Sequence, residues 1–103
     1  MKHVNVTKNK CTHYCGRDAS YKENGINYSI LGNPFWMSDE SQRAKVIADF
    51  RVKLNADRIA DNSVWKALVA LPKDAILGCF CAPKACHCQV IIDAWNWHHN
   101  KIK

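Results

Sequence analysis

Hydrophobic positions recur with two different periods along this chain, and the switch between them predicts its elements. From Ala44 through Val46, Ile47 and Phe50 to Leu54 the apolar residues return every three or four positions, the stripe of one helix face, in a helix ending near residue 58. Ser38 is a suitable N-cap for it, with Asp39 and Glu40 at the positive end of the helix dipole. Asn62 or Ser63 caps a shorter helix that turns Val64, Ala67, Leu68 and Leu71 inward and stops at Pro72. A last helix starts near Cys86 and aligns Val90, Ile91, Ala94, Trp95 and His98. DAILGCFC (74–81) is a short unbroken apolar run, the pattern of a buried strand. HVNV (3–6) and THYCGR (12–17) read as two more short strands, the second ending at Gly16 with Arg17 just beyond. ASYKENGINYSI (19–30) centres on Asn24-Gly25, which predicts either a β-hairpin insertion pairing Tyr21 with Tyr28 or a polar insertion without strands.

This order predicts a small single α/β domain over 1–103: a short, mostly parallel sheet flanked by three helices. If the strands at THYCG and AILGCFC run parallel, their C-terminal ends share one sheet edge. That edge is where open α/β sheets bind ligands. Arg17, the GNPFW segment (32–36), Cys79, Cys81 and the start of the last helix should then converge on one rim.

Composition narrows the setting. At 103 residues, 48% hydrophobic with four tryptophans, the chain can build one core without covalent help. The N-terminus MKHVNVTKNKC shows no apolar leader, and no window nears the roughly 20 apolar residues that span a bilayer. A cytoplasmic protein without membrane contact is the expectation. In that reducing compartment the six cysteines point to metal, thiol chemistry or burial rather than to disulfides. The net charge of +6 favours an anionic partner, a nucleotide-like small molecule first and nucleic acid second. A merely solvated basic surface explains the charge as well, and assembly with a second copy stays open.

The stretch CFCAPKACHC (79–88) concentrates the candidate chemistry. As a metal clip, Cys79, Cys81, Cys86 and His87 offer zinc four ligands of suitable type, although structural zinc sites use two separated pairs. As a thiol centre, Cys86 or Cys88 at a helix N-terminus has its thiolate favoured, with Cys86 and His87 the catalytic candidates; plain burial of cysteine is the competing explanation. As an anion cradle, the 82–85 turn leads into a helix start. Arg17 and Lys84 would add charge and Phe35 or Trp36 a stacking face, without any glycine-rich phosphate loop. The ligand-binding set under this reading is Arg17, Asn33, Phe35, Trp36, Cys79, Cys81, Lys84, Cys86 and His87.

Asn33-Pro34-Phe35 followed by Cys79, Cys81, Pro83, Cys86 and His87 resembles a family of short bacterial and phage proteins classed as domain of unknown function 4326, with an NPF motif and C-x-C-x-P-x-x-C-H. The likeness spans residues 12 to 97, with YCGR (14–17) resembling the family's first strand end. Residues 18–31 look like an insertion, and Cys15 and Cys88 like additions. The resemblance implies a small α/β domain with its site built from those motifs, and it brings no established reaction. In a phage setting it would imply sequestering or processing a nucleotide signal. The expected function is therefore binding of a nucleotide or nucleotide-derived phosphorylated ligand. A zinc-stabilised interaction module and a thiol-dependent enzyme acting on a nucleotide are the alternatives.

Overall fold

The computed structural model describes residues 1–35, 37–80 and 84–100. Four strands form one sheet: β1 (Lys2–Asn5), β2 (His13–Tyr14), β3 (Ile26–Asn27) and β4 (Ile76–Cys79), in the order β1-β4-β2-β3. Every pairing is parallel, with His13 opposite Leu77 and Tyr14 opposite Gly78. Three helices complete the small α/β domain: α1 (Arg43–Ala60), α2 (Ser63–Val69) and α3 (His87–Asn100).

The helices follow the apolar stripes with local corrections. Val46, Phe50 and Leu54 are buried on α1, whereas Ala44 at its start is exposed. Asp39 rather than Ser38 caps the entry, accepting from the Ser41 amide ahead of a 3-10 turn at Glu40–Gln42 that leads into α1. The Ser38 hydroxyl and amide both donate to Gln42 Oε1 instead. Asn62 caps α2 as expected, accepting from the Trp65 amide. It also donates to the buried Asp57 carboxylate, which Lys53 pairs at 2.7 Å. α3 packs on β1 and β4 and on both other helices, so Leu68, Leu77 and Ile91 meet in one core.

The 19–30 segment is not a hairpin. β3 pairs with β2 in parallel, which a two-residue turn cannot deliver, and the chain uses residues 15–25 to return to the starting end of the strand. Asn24-Gly25 serves another purpose. Asn24 accepts from the Cys11 amide at 3.0 Å and donates to the Asn9 carbonyl at 2.8 Å, pinning β3's entry to the loop after β1. Gly25 takes φ 78°, and a Cβ there would sit 2.9 Å from Cys11 Sγ. Tyr21 consequently stacks on Tyr14 at 3.9 Å rather than facing Tyr28, whose ring lies edge-on to His13.

Gly32, at the head of the NPF segment, lies against the end of β2. A Cβ there would approach the Gly16 carbonyl oxygen to 2.7 Å, and that backbone is held by the sheet. Gly32→Ala is expected to lower stability by about 1–3 kcal/mol in urea denaturation, the usual cost of overpacking. Unchanged stability would show that the segment can lift off β2.

Candidate functional site

Because β2 and β4 run parallel, their C-terminal ends deliver Cys15, Gly16 and Arg17 beside Cys79 and Phe80. A cleft of about 360 Å³ opens at this edge. Arg17, Asn33, Cys79, Cys86 and His87 all line it, so five of the expected ligand-binding residues come together in one cleft. Phe35 instead packs its ring against the core, and Lys84 is exposed. Trp36 and Cys81 lie outside the described residues.

Asn33 anchors the cleft rather than simply facing it. It is buried, donates to the Val46 carbonyl of α1 and accepts from the Phe35 amide at 2.9 Å. Its own carbonyl receives Arg17 Nε at 2.6 Å, while Arg17 Nη2 donates to the Phe35 carbonyl at 2.9 Å. The two carbonyls fix the guanidinium without cancelling its charge, and the NPF segment thereby becomes the clamp that aims Arg17.

Arg43, the first residue of α1, also lines the cleft. Its Nη1 donates to the Ala85 carbonyl at 2.9 Å, and its Nε and Nη2 embrace Glu40. Lys84 reaches the same carboxylate at 3.2 Å. Hydrogen bonds from Arg43 and then Lys84 hold Glu40 well below its usual 4.5, at about 2. The acid thus ties the segment before α3 to the entry of α1. Arg43 is not among the residues that the sequence pattern singles out. A signal did exist, because a cation in the first turn opposes the helix dipole and needs another reason to be there.

The thiols gather beneath this wall. Cys86 Sγ lies 2.9 Å from Cys79 Sγ, too long for a disulfide bond of about 2.05 Å. Cys88 joins them, the three sulfurs lying within 4.8 Å of one another. Buried Cys15 adjoins them, its side chain hydrogen-bonding Cys88. The group therefore differs from the expected zinc set by including Cys88, which the sequence reading treated as an addition. Thiol hydrogen bonds with Cys15, Cys79 and Cys86, together with burial, push the Cys88 thiol well above its ordinary range. That removes Cys88 as an activated thiolate. The helix start cannot favour its anion when sulfurs and core surround it.

His87 bridges cleft and thiols. Its Nε2 lies 2.7 Å from the Cys15 carbonyl, an acceptor, so Nε2 carries the proton. Nδ1 then faces Cys86 Sγ at 3.5 Å. Burial pushes this imidazole down, yet the hydrogen bond and charge of Cys86, the Cys15 carbonyl and Cys79 push it up and prevail.

A family model described as a domain of unknown function, DUF4326, matches residues 1–97, and the chain belongs to that family. No curated protein and no solved structure matches it. No helix among the described residues is long and apolar enough to cross a membrane.

Two measurements check this geometry. Because the Glu40 carboxyl titrates lower in the folded chain, its contribution to stability is present above pH 4.5 and is lost as pH falls through about 2. Carboxyl NMR should place its midpoint near 2, and Arg43→Ala should return it toward 4.5. Iodoacetamide on the folded, metal-free chain near neutral pH should label Cys86, in the cleft wall, roughly tenfold or more faster than Cys88. Equal rates would mean that Cys88 is not enclosed.

Proposed function

We propose that this member of the DUF4326 family binds a nucleotide or a similar phosphorylated small molecule in the cleft at the carboxyl edge of its sheet. The observation that carries the reading is the Arg17 guanidinium, held by two backbone carbonyls on the lining of a largely apolar cleft that Arg43, paired with Glu40, also lines. Arginine suits phosphate because its planar fork donates two parallel hydrogen bonds and keeps its charge at every physiological pH. The cleft volume falls within the range typical of small-ligand sites, and its position obeys the carboxyl-edge rule for open parallel sheets. The positive end of α3 begins at the same wall and adds to the attraction for an anion. Phe80, 55% exposed at the end of β4, offers a face on which a base can stack.

Two of the contacts that position Arg17 are made to backbone carbonyls, which hold the side chain without neutralising it. In the cytoplasm of a bacterial host the domain would act by sequestering or handing on its ligand. The contact between Cys86 Sγ and His87 Nδ1 in the same wall supports a second reading, a thiol-dependent step on the bound molecule. There Cys86 would be the nucleophile and His87 the group that takes its proton.

Thermal denaturation against a panel of nucleoside mono-, di- and triphosphates, with inorganic phosphate alongside, tests the binding reading. A ligand at 100 times its dissociation constant adds about 2.7 kcal/mol of stability. A shift is expected with at least one phosphorylated nucleoside, and Arg17→Ala should abolish it. The absence of any shift in the native chain at millimolar ligand overturns the proposal.

A further inference from the structure

We propose that Cys79, Cys86 and Cys88 bind a zinc ion beneath the cleft, with His87 Nδ1 as the fourth ligand. The three thiols come from separate places: the last residue of β4, the residue before α3 and the first turn of α3. They are 2%, 3% and 0% exposed, so no water competes for an ion placed among them. Tetrahedral zinc with bonds of about 2.3 Å separates its sulfurs by roughly 3.8 Å. Cys79 and Cys86, at 2.9 Å, would open by about an ångström, and the separations of up to 4.8 Å would close by a similar amount. Thiols are weak hydrogen-bond partners for one another, so packing supplies little reason to place three of them together. The donor set selects a soft cation, because neither a carboxylate nor a carbonyl belongs to the trio.

His87 Nδ1, 3.5 Å from Cys86 Sγ, stands outside the group whose members all lie within 4.8 Å of one another, so the imidazole moves inward to complete the site. Its Nε2–H is given to the Cys15 carbonyl at 2.7 Å, the outer hydrogen bond that orients a metal-bound histidine, and Nδ1 already points toward Cys86. Cys15 is the other neighbour, but a fourth thiolate would leave two net negative charges in a buried site. Three thiolates with imidazole leave one, facing the positive end of α3. Binding displaces three protons to solvent, whichever of Cys86 and His87 holds their shared proton beforehand. The ion would close the loop from 79 to 88 and brace the wall of the cleft above it.

The full chain, stripped of metal, is titrated with zinc chloride by calorimetry in two buffers of different ionisation enthalpy. One equivalent should bind, releasing about three protons and raising the melting temperature. Cys88→Ala and Cys86→Ala should each weaken zinc roughly a hundredfold or more, and His87→Gln at least tenfold. Cys11→Ala, whose thiol lies against Gly78 and donates to the Asn24 carbonyl but does not belong to the trio, should not. Should Cys88→Ala fail to fold, cobalt(II) loaded into the native chain reads the ligands directly, with a tetrahedral spectrum and thiolate charge-transfer bands. Binding below about a tenth of an equivalent with unchanged melting overturns the site. So does a folded Cys88→Ala that binds as the native chain does, or a cobalt spectrum without thiolate bands. Loss of binding in Cys15→Ala but not in His87→Gln would overturn the fourth ligand. None of these outcomes depends on whether the cleft takes a phosphorylated ligand.

Discussion

The parallel pairing of β2 with β4 is the constraint on which the rest of this molecule depends. It is a short ladder, with Thr12 N–H donating to the Ile76 carbonyl and Cys15 N–H to the Gly78 carbonyl. Because both strands stop at the same edge, Arg17 and Cys79 meet although 62 positions separate them (79 − 17). An antiparallel pairing would have sent the arginine to the far end of the sheet. The order β1-β4-β2-β3 also places β4 between two strands that precede it in the chain, so it is buried on both sides.

Backbone carbonyls, rather than charged pairs, organise the cleft. The Cys15 carbonyl orients His87, the Asn33 and Phe35 carbonyls orient Arg17, and the Ala85 carbonyl receives Arg43. They join the segment after β2 to α3 and to the NPF segment, and the start of α1 to the segment before α3. A carbonyl directs a cation without neutralising it, which keeps positive charge at the rim. The exception is Glu40, which gathers Arg43 and Lys84 at the mouth and joins α1 to the segment before α3. Beneath this polar frame lies a sulfur-rich floor continuous with the aliphatic core, and His87 belongs to both.

Several of these relations were legible in the residues, and the failures have identifiable causes. The stripe at Val46, Phe50 and Leu54 reads correctly because burial on a helix obeys a fixed period. Asn24-Gly25 misleads because the same two residues satisfy two demands. They suit a two-residue hairpin, and they equally suit a left-handed turn whose asparagine holds a neighbouring loop. Only the Cys11 amide and the Asn9 carbonyl decide between those uses. Lys84 resembles a phosphate ligand in the sequence but lies over Glu40, a partner 44 positions away.

The sequence by itself determined the alternation of apolar strand and amphipathic helix, hence the α/β class, and through Arg17, Asn33, Cys79, Cys86 and His87 most of the chemistry at the rim. Those features depend on local periodicity and residue type, which one chain displays in full. Tertiary structure alone decided that β3 runs parallel, that Arg43 joins Arg17 in the lining of one cleft, and that Cys88 turns inward to join Cys79 and Cys86. Each is a contact between elements distant in the chain or a choice of helix face. Such contacts are set by how the layers pack, and no local pattern encodes them.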